Sequence, residues 1–315
     1  MSFEETLAGR VEEAEEILKR YLPEEAGYQK TVLEAMNYST LAGGKRLRPI
    51  LMKESYALFG GKGRIVEPFM AALEMIHNYS LVHDDLPCMD NDEYRRGRRT
   101  TWYVYGEGMA VLAGDALLNY AYETASRAFS MIAEESGYAK NPEMAAGAMR
   151  LYEAVGKAMQ ILTQKAGVYG MVGGQCADIC AEEYEPESVT EELLLYIHKN
   201  KTAALIESAL MIGAILAGAS EEEIGRMEKA ARNIGIAFQI QDDILDLTGT
   251  LEELGKPAGS DEKNHKVTYV SLKGMEQSVE DVRRLSEEAL SILRSFDLRN
   301  LFLEQLVEDL ITRRK

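Results

Sequence analysis

Apolar residues recur every three or four positions along most of the chain, with polar residues between them. This spacing places the apolar side chains on one face of an α-helix. It predicts helices over residues 3–21, 27–42, 65–84, 107–133, 143–166, 168–182, 190–217, 221–247 and 277–312. Several segments, such as AVLAGDALLNYAY at 110–122, are apolar almost all round, which is typical of helices inside a large bundle. We therefore expect an all-α fold.

Polar residues, glycine and proline gather at the breaks between the predicted helices. The breaks include LAGGKRLRP (41–49), Pro87 and LGKPAGSDEKNHK (254–266). The chain has no internal repeat, low-complexity tract or linker rich in serine and proline, so we expect one domain over residues 1–315. The pattern predicts a single deep bundle with a charged mouth.

Charge narrows the possible partners. The 315 residues include 52 Asp and Glu but only 35 Lys and Arg, a net charge of −17, which argues against nucleic acid. The most apolar segment, residues 205–219, contains Glu207 and is too short to span a bilayer, so we expect no stable membrane insertion. The acidic first residues, MSFEETLAGR, lack the apolar core of a signal peptide.

Cysteine usage points to the cytoplasm. Cys88, Cys176 and Cys180 have no zinc-site spacing, and an odd number of thiols suits a reducing compartment. Cys176 and Cys180 lie one helical turn apart, where a disulfide would be strained. We expect unpaired, partly buried thiols.

Two aspartate clusters carry the candidate chemistry. In FQIQDDILD (238–246), Gln239, Asp242 and Asp246 share one helical face, although this pattern alone is equally typical of a solvated surface. In HDDLPCMDND (83–92), Pro87 disturbs the helix end and lets the chain curl back, so that Asp84, Asp85 and Asp90 can converge. The spacing does not fit a calcium-binding EF-hand loop.

Carboxylate oxygens without neighbouring His or Cys ligands favour magnesium, which in turn implies a phosphorylated ligand. Basic residues accompany the clusters in GGKRLRP (43–49), in RRGRR (95–99), and at Lys256, Lys263 and Lys266. No phosphate-binding loop of the common nucleotide folds is present in the sequence.

Several motifs, in this order along the chain, together resemble the trans-isoprenyl diphosphate synthases (polyprenyl synthetases), and bacterial farnesyl diphosphate synthases most closely. They are GGKRLRP (43–49), EMIHNYSLVHDDLPCMDND (74–92), RRG (95–97), LAGDALL (112–118), GGQCADI (173–179), KT (201–202), FQIQDDILD (238–246) and GKPAGSDEKNHKVTY (255–269). The resemblance implies the isoprenoid synthase fold, a helical bundle around a deep central cavity, in a homodimeric enzyme that joins isopentenyl diphosphate to allylic diphosphates.

The resemblance also implies roles for individual residues. It assigns the metal ligands to Asp84, Asp85, Asp90 and Asp242. It places the allylic diphosphate, or the cation that develops from it, at Arg95, Lys201, Thr202, Gln239, Lys256 and Lys266. It places isopentenyl diphosphate at Lys45, Arg48, His77 and Arg96. Lys201, Thr202 and Gln239 would act on the reacting carbon. In this scheme Mg²⁺ and lysines neutralise the departing diphosphate.

Tyr79 is the predicted floor of the hydrocarbon site. It precedes Asp84 by five residues, about 7–8 Å along a helix, and an aromatic residue here is typical of the farnesyl enzymes that the chain resembles. The expected product is farnesyl diphosphate, with geranylgeranyl diphosphate as the alternative. A terpene cyclase or a non-catalytic partner subunit fits less well, because both aspartate motifs and the basic residues of a second diphosphate site are present.

Some positions have a structural interpretation beside the functional one. Without the family resemblance, His77 on its apolar helix would be interpreted as a core histidine. Gly173, Gly174, Gln175 and Asp178 could serve close packing and bracing of helices, and Arg46, Arg98 and Arg99 could be solvated surface charge. The sequence after RRG departs from the family pattern at Arg99 and at Trp102, the only tryptophan, so Trp102 is expected to reshape the loop beyond the arginines.

Overall fold

The structure, a computed structural model, describes residues 2–248 and 267–312. Within these ranges the only strands are two of two residues each, β1 (Tyr94–Arg95) and β2 (Arg98–Arg99), which pair antiparallel. The helices are α1 (Phe3–Tyr21), α2 (Lys30–Thr40), α3 (Leu47–Leu58), α4 (Glu67–Asp84), α5 (Thr101–Tyr105), α6 (Glu107–Ser126), α7 (Ala128–Glu135), α8 (Ala145–Ala166), α9 (Met171–Glu182), α10 (Glu191–Ile197), α11 (Ala204–Ala217), α12 (Glu221–Thr248), α13 (Tyr269–Lys273), α14 (Met275–Arg294) and α15 (Leu301–Thr312). The all-α prediction is confirmed.

Two apolar helices, α4 and α11, form the centre of the bundle. Helix α4 packs against α6, α3, α1 and α2, whereas α11 packs against α3, α12 and α8. Every residue of α11 from Ala204 to Leu216 is buried, because a helix without a polar face must be surrounded by other helices.

A six-residue π-helical segment, His198–Ala203, joins α10 to α11. The predicted helix over 190–217 is therefore helical throughout its centre, but residues 198–203 form the wider turns of a π-helix. Such wide turns are rare and often mark functional sites. This one carries Lys201 and Thr202.

Helices α3, α5 and α13 were not predicted, and two predicted segments are divided. Helix α3 was not predicted, because its first turn contains Pro49 and its N-cap, Arg46, adopts a left-handed conformation instead of providing a capping side chain. The segment 107–133 is divided at Arg127 between α6 and α7. The segment 277–312 is divided because Asn300 begins a new helix, its Oδ1 accepting a hydrogen bond from the Leu303 N–H at 3.0 Å.

Candidate active site

A cavity of about 660 Å³ opens beside the C-terminal end of α4. This volume is within the usual range for small-ligand sites, roughly 300–1,000 Å³. Its lining includes Tyr79, Leu81, Leu86, Met89, Val111, Met171, Val172 and Ile179. Asp84, Lys201, Thr202, Arg48 and His77 also line it, so an apolar interior adjoins charged groups. This is the charged mouth that the sequence predicted.

The first aspartate cluster lies in the turn that follows α4. The chain curls back after Pro87, and the Asp90 N–H donates to the Asp84 carbonyl at 2.9 Å. The predicted reversal is therefore confirmed for the backbone. The side chains diverge, since Asp85 is buried and bonded by Arg95 at 2.7 Å, whereas Asp90 is exposed.

Burial raises the pKa of Asp84 to about 6, opposed by the charge of Lys201 and increased by that of Asp90. The Asp84 Oδ1 accepts a hydrogen bond from Gln175 Nε2 at 2.9 Å. Burial also raises the pKa of Asp85, against the effect of Arg95. Asp84 is thus a half-buried carboxylate whose charge its surroundings leave undercompensated.

These surroundings fit magnesium. Across residues 2–248 and 267–312, no three His, Cys, Asp or Glu side chains converge as a ready-made cage. The expectation that Asp84, Asp85 and Asp90 meet at one point is therefore wrong for the side chains as they stand. Magnesium, however, usually takes one or two carboxylates and completes its shell with water and substrate phosphate. Asp84, beside Asp90, meets that requirement.

The second cluster, on α12, is more buried than a solvated face would be. Asp243 and Asp246 are 7% and 5% exposed, and Asp243 accepts a hydrogen bond from the Tyr269 N–H at 2.9 Å. Asp242 is only half-buried. Asp243 therefore joins α12 to the beginning of α13, and Asp242 remains the candidate metal ligand.

The π-helical segment brings Lys201 and Thr202 between the two clusters. Thr202 Oγ1 donates to Gln239 Oε1 at 2.9 Å, and Lys201 forms an ion pair with Asp178. Lys201 and Thr202 line both the large cavity and a neighbouring one of about 110 Å³, which Gln239 and Asp243 also line. The predicted grouping of Lys201, Thr202 and Gln239 is present.

Two glycines allow α9 and α12 to approach this segment. A Cβ on Gly174 would lie 2.1 Å from the Lys201 backbone nitrogen, and one on Gly235 would lie 2.3 Å from the Ala203 Cβ. Both distances are too short for any other residue type without movement of the backbone. Gly174 thus has the close-packing role considered for it, whereas Gln175 and Asp178 do more than pack, since they contact Asp84 and Lys201.

A basic region adjoins the cavity near the start of α3. Burial lowers the pKa of His77 well below its usual value, and the charge of Arg48 adds to this effect, so His77 is neutral. Burial also lowers the pKa of Arg48, whose Nε atom is buried and has no hydrogen-bond partner in the part of the chain that the structure describes. Such a donor needs an anion or another acceptor.

Lys45 and Arg96 lie at the rim of this region. Lys45 is exposed, and Arg96 donates to the Gly43 carbonyl while its guanidinium carbon lies 2.8 Å from the position that a Cβ of Gly44 would occupy. The structure therefore places Arg96 beside the loop that carries Lys45, and His77 beside Arg48.

The three other arginines considered as surface charge are not simply solvated. Arg46 is 2% exposed, pairs with Glu74 at 2.8 Å and donates to the Thr40 carbonyl, so the surface interpretation is wrong. The Arg98 guanidinium lies 4.2 Å from the centre of the Tyr38 ring, and that of Arg99 lies 3.9 Å from the centre of the Tyr103 ring. Cation–π contacts hold both.

The remaining predicted residues have various positions. Tyr79 is 6% exposed and lines the cavity. Arg95 forms an ion pair with Asp85. The Trp102 indole donates to the Asp92 carbonyl at 2.8 Å, which connects α5 to the aspartate loop. Lys256 and Lys266, like Lys263, lie outside the described residues. The cysteines are unpaired, as expected, but exposed rather than partly buried.

Comparison with known proteins identifies the family. The polyprenyl synthetase family profile matches residues 29–300. The chain is 42% identical to a dimethylallyltranstransferase of Fischerella ambigua (strain UTEX 1903), over 98% of this chain and 82% of that protein. It is 46% identical to the large subunit 1 of a heterodimeric geranylgeranyl pyrophosphate synthase of Arabidopsis thaliana, over 84% of this chain and 67% of that protein.

Solved structures agree with the isoprenoid synthase fold. An FPP/GFPP synthase from Zymomonas mobilis superposes with a TM-score of 0.81, at 29% identity over 98% of this chain and 99% of its own. A geranyltransferase from Helicobacter pylori, complexed with magnesium and isoprenyl diphosphate, superposes with a TM-score of 0.77, at 28% identity over 99% and 97% of the two chains. With its two aspartate motifs and apolar cavity, this chain belongs to the polyprenyl synthetase family of trans-prenyl diphosphate synthases.

Proposed function

We propose that this trans-prenyltransferase condenses isopentenyl diphosphate with dimethylallyl and then geranyl diphosphate to give farnesyl diphosphate. The observation that carries the proposal is Tyr79, a buried ring in the wall of the cavity whose charged end holds Asp84. The two residues lie five positions apart on the helix, about 7–8 Å at 1.5 Å per residue. A hydrocarbon tail that starts at Asp84 therefore reaches an aromatic side chain after a short distance.

The allylic substrate is assigned to the side of the cavity formed by α4, α9 and the π-helical segment. Asp84, Asp90 and Asp242 would hold Mg²⁺, which supplies charge neutralisation to a departing diphosphate. Lys201 adds a positive charge beside Asp84, and the Thr202 hydroxyl, oriented by Gln239, directs an oxygen toward a developing allylic cation. The apolar wall excludes water that would otherwise quench this cation.

Isopentenyl diphosphate is assigned to the basic region at Lys45, Arg48, His77 and Arg96. Arg48 supplies a buried guanidinium nitrogen that has no acceptor among residues 2–248 and 267–312, and neutral His77 offers a donor without adding charge. The double bond of this substrate would attack the allylic carbon, and the proton lost afterwards passes to the released diphosphate. No protein nucleophile is needed.

The product-length test replaces Tyr79. With isopentenyl and dimethylallyl diphosphates and Mg²⁺, the wild type is expected to release mainly farnesyl diphosphate. Tyr79→Ala removes the ring and should shift the products toward geranylgeranyl diphosphate and longer chains, while the rate of the first condensation changes little. Tyr79→Phe is the matched control, because it keeps the ring and should keep the farnesyl product. Chromatography of the dephosphorylated products measures the result.

Geranylgeranyl diphosphate is the alternative product, since similar proteins such as the Arabidopsis subunit carry geranylgeranyl synthase names. Mainly C20 product from the wild type would favour this alternative. Unchanged farnesyl product from Tyr79→Ala would move the floor to another residue, such as Val111 on the facing helix α6.

Homodimerisation and a cytoplasmic location complete the proposal. Exposed apolar residues on α6 and α8, among them Leu112, Met149 and Tyr152, provide a surface that a second copy would cover. Light scattering during gel filtration would give the mass in solution, and a mass of about 35 kDa, equal to one chain, would contradict the dimer.

A further inference from the structure

All three cysteines of the chain line the same cavity. Cys88, Cys176 and Cys180 are free, exposed, and part of the wall of the 660 Å³ cavity. A free cysteine most often serves as a small buried apolar residue, and exposure removes that explanation. A role in the core therefore does not explain these three cysteines, whose thiols are open to chemical reaction in the cavity.

Cys176 and Cys180 form a pair on one stripe of α9. Together with Val172 and Ile179 they follow the spacing i, i+4, i+7 and i+8, which is one helical face, and all four residues are exposed and line the cavity. The charge of Cys176, one helical turn away, raises the pKa of Cys180. Cys88 belongs to the loop after α4 and is not part of this stripe.

The pair is arranged to bridge a third atom rather than to bond to itself. A disulfide between residues one turn apart on a helix is strained. An atom that bonds both sulfurs increases the distance that the pair spans and removes this strain. Thiolate sulfur is soft and prefers soft, thiophilic centres.

We propose that Cys176 and Cys180 form a two-thiol binding site for soft thiophilic ligands, of which a monosubstituted trivalent arsenical is the matched probe. Phenylarsine oxide has one As=O group. Its reaction with two thiols forms two As–S bonds, breaks the bond to oxygen, and transfers both thiol protons to that oxygen, which leaves as one water molecule. The oxidation states of arsenic and sulfur do not change, so no oxidant or reductant is required.

Occupation of this site would obstruct the hydrocarbon cavity, a consequence that rests on the proposed function. Cys176 directly follows Gln175, which donates to Asp84. A phenylarsenic group on Cys176 and Cys180 therefore occupies the wall next to the charged end, where the allylic tail is assigned. The adduct should therefore inhibit condensation.

The experiment treats the full chain with phenylarsine oxide and measures both intact mass and prenyl transfer. The expected result is one phenylarsenic group per chain, with a mass gain equal to the reagent minus one water. Inhibition should be reversed by a dithiol such as dimercaptopropanol and not by mercaptoethanol. Cys176→Ser and Cys180→Ser should each need about 10²-fold more reagent for half-inhibition, because loss of one thiol removes the effective concentration of the second.

Cys88→Ser is the matched control, since it removes a lone thiol from the same cavity. It should retain the adduct, the inhibition and the dithiol-selective reversal. Each variant is compared with its own untreated rate. Resistance of Cys88→Ser, or full sensitivity of Cys176→Ser, would overturn the proposal. The mass measurement needs no substrate, so an adduct without inhibition would contradict the assigned tail position and leave the two-thiol site intact.

Discussion

Burial gives the Asp84 carboxylate a pKa of about 6, and this value implies a pH dependence for metal binding. Below pH 6 the group is mostly protonated, and a proton must then leave before a cation binds. An aspartate with an ordinary pKa near 3.9 would remain charged throughout this range. Acidification should therefore weaken the site, whereas pH values above 7 should have little further effect.

We predict that the Mg²⁺ concentration for half-maximal activity rises about tenfold between pH 7 and pH 5. Titrations of the initial rate with Mg²⁺ at pH 5, 6 and 7 measure this. The diphosphates also titrate in this range, so the comparison is with Asp84→Asn, whose residual activity should show a smaller rise. An equal rise in both proteins would attribute the effect to the substrates.

Asp84→Asn itself should separate activity from stability. Loss of the charge should lower kcat by about 10²-fold or more, as should Asp242→Asn. The same change removes a half-buried charge that its surroundings disfavour, so the free energy of unfolding at pH 7 should increase by about 1–2 kcal/mol. Denaturant titration and steady-state kinetics test the two effects, and a destabilised Asp84→Asn protein would contradict the environment described for this carboxylate.

The two diphosphate sites should respond to different substitutions. Lys45→Ala and Arg48→Ala should raise the KM for isopentenyl diphosphate. Each removes a charge-assisted contact that contributes roughly 1.5–3 kcal/mol to the binding free energy. Lys201→Ala should instead lower kcat, because Lys201 lies beside Asp84. Initial rates with each substrate varied in turn distinguish these effects, and equal effects of all three variants on both substrates would refute the division.

Residue patterns predicted which side chains gather, but not which of them are buried. Arg46 and Arg48 are two positions apart in GGKRLRP, and the sequence gives no reason to place Arg46 against Glu74, because that contact joins residues 28 positions apart. Gln175 and Asp178 likewise look like ordinary helical polar residues until α9 is packed next to α4 and the π-helical segment. Such assignments depend on tertiary contacts.

At the scale of elements, the π-helical segment is the feature that sequence periodicity did not predict. One extra residue shifts the phase of a helical pattern by about 100°, but every residue of α11 from Ala204 to Leu216 is apolar or buried, so the shift does not show and residues 190–217 still appear as one helix. Lys201, Thr202 and the glycines opposite them were identifiable as a motif. Their backbone geometry was not, because it depends on the close approach of α9 and α12.

Gly235→Ala should disturb this geometry. The new methyl group would meet the Ala203 Cβ at 2.3 Å, so the segment must shift, and a shift of 1 Å at a reacting centre can cost about 10²-fold in rate. We expect a fall in kcat with little change in the KM for isopentenyl diphosphate. The control is Gly225→Ala on the same helix, where no atom lies within 4 Å of the added Cβ.

Gly225→Ala should retain activity and gain up to about 1 kcal/mol in stability from the higher helix propensity of alanine. Circular dichroism and urea unfolding establish that both variants are folded. Normal kcat in a folded Gly235→Ala protein would show that the segment tolerates displacement, and that its wide turn does not position Lys201 and Thr202.

At the scale of the whole molecule, α11 and the helix before it resemble a membrane span in composition. Over the described residues, the stretch Glu191–Ala217 is long and apolar enough to cross a bilayer, yet 83% of its most apolar window is buried in the bundle. Glu207, 1% exposed, accepts hydrogen bonds from Lys165 on α8 and Arg232 on α12. The apolar helix is thus held in the core by a buried ionic link to both neighbours.

Glu207→Ala should destabilise the protein by about 1.5–3 kcal/mol, because it removes the charge-assisted hydrogen bonds from Lys165 and Arg232 and leaves both cations with Glu228 alone. Glu221→Ala is the control: it removes the partner of Lys157, but the Glu221 side chain is 85% exposed, and such pairs contribute about 0–1 kcal/mol. Denaturant unfolding of the two variants gives the comparison. Equal losses of unfolding free energy would show that the buried Glu207 contacts contribute no more to stability than the exposed Glu221–Lys157 pair.

The position of Tyr79 on a regular helix also implies that product length changes in steps. A helix advances about 5.4 Å per turn, and one isoprene unit adds four carbon–carbon bonds of about 1.5 Å each, or roughly 5 Å when extended. If Tyr79 limits the product as proposed, one turn of helix α4 corresponds in length to about one isoprene unit. Moving the blocking ring from Tyr79 to Met75 or Ile76, one turn deeper, makes room for one more unit, so neighbouring members of such a series differ by whole isoprenes.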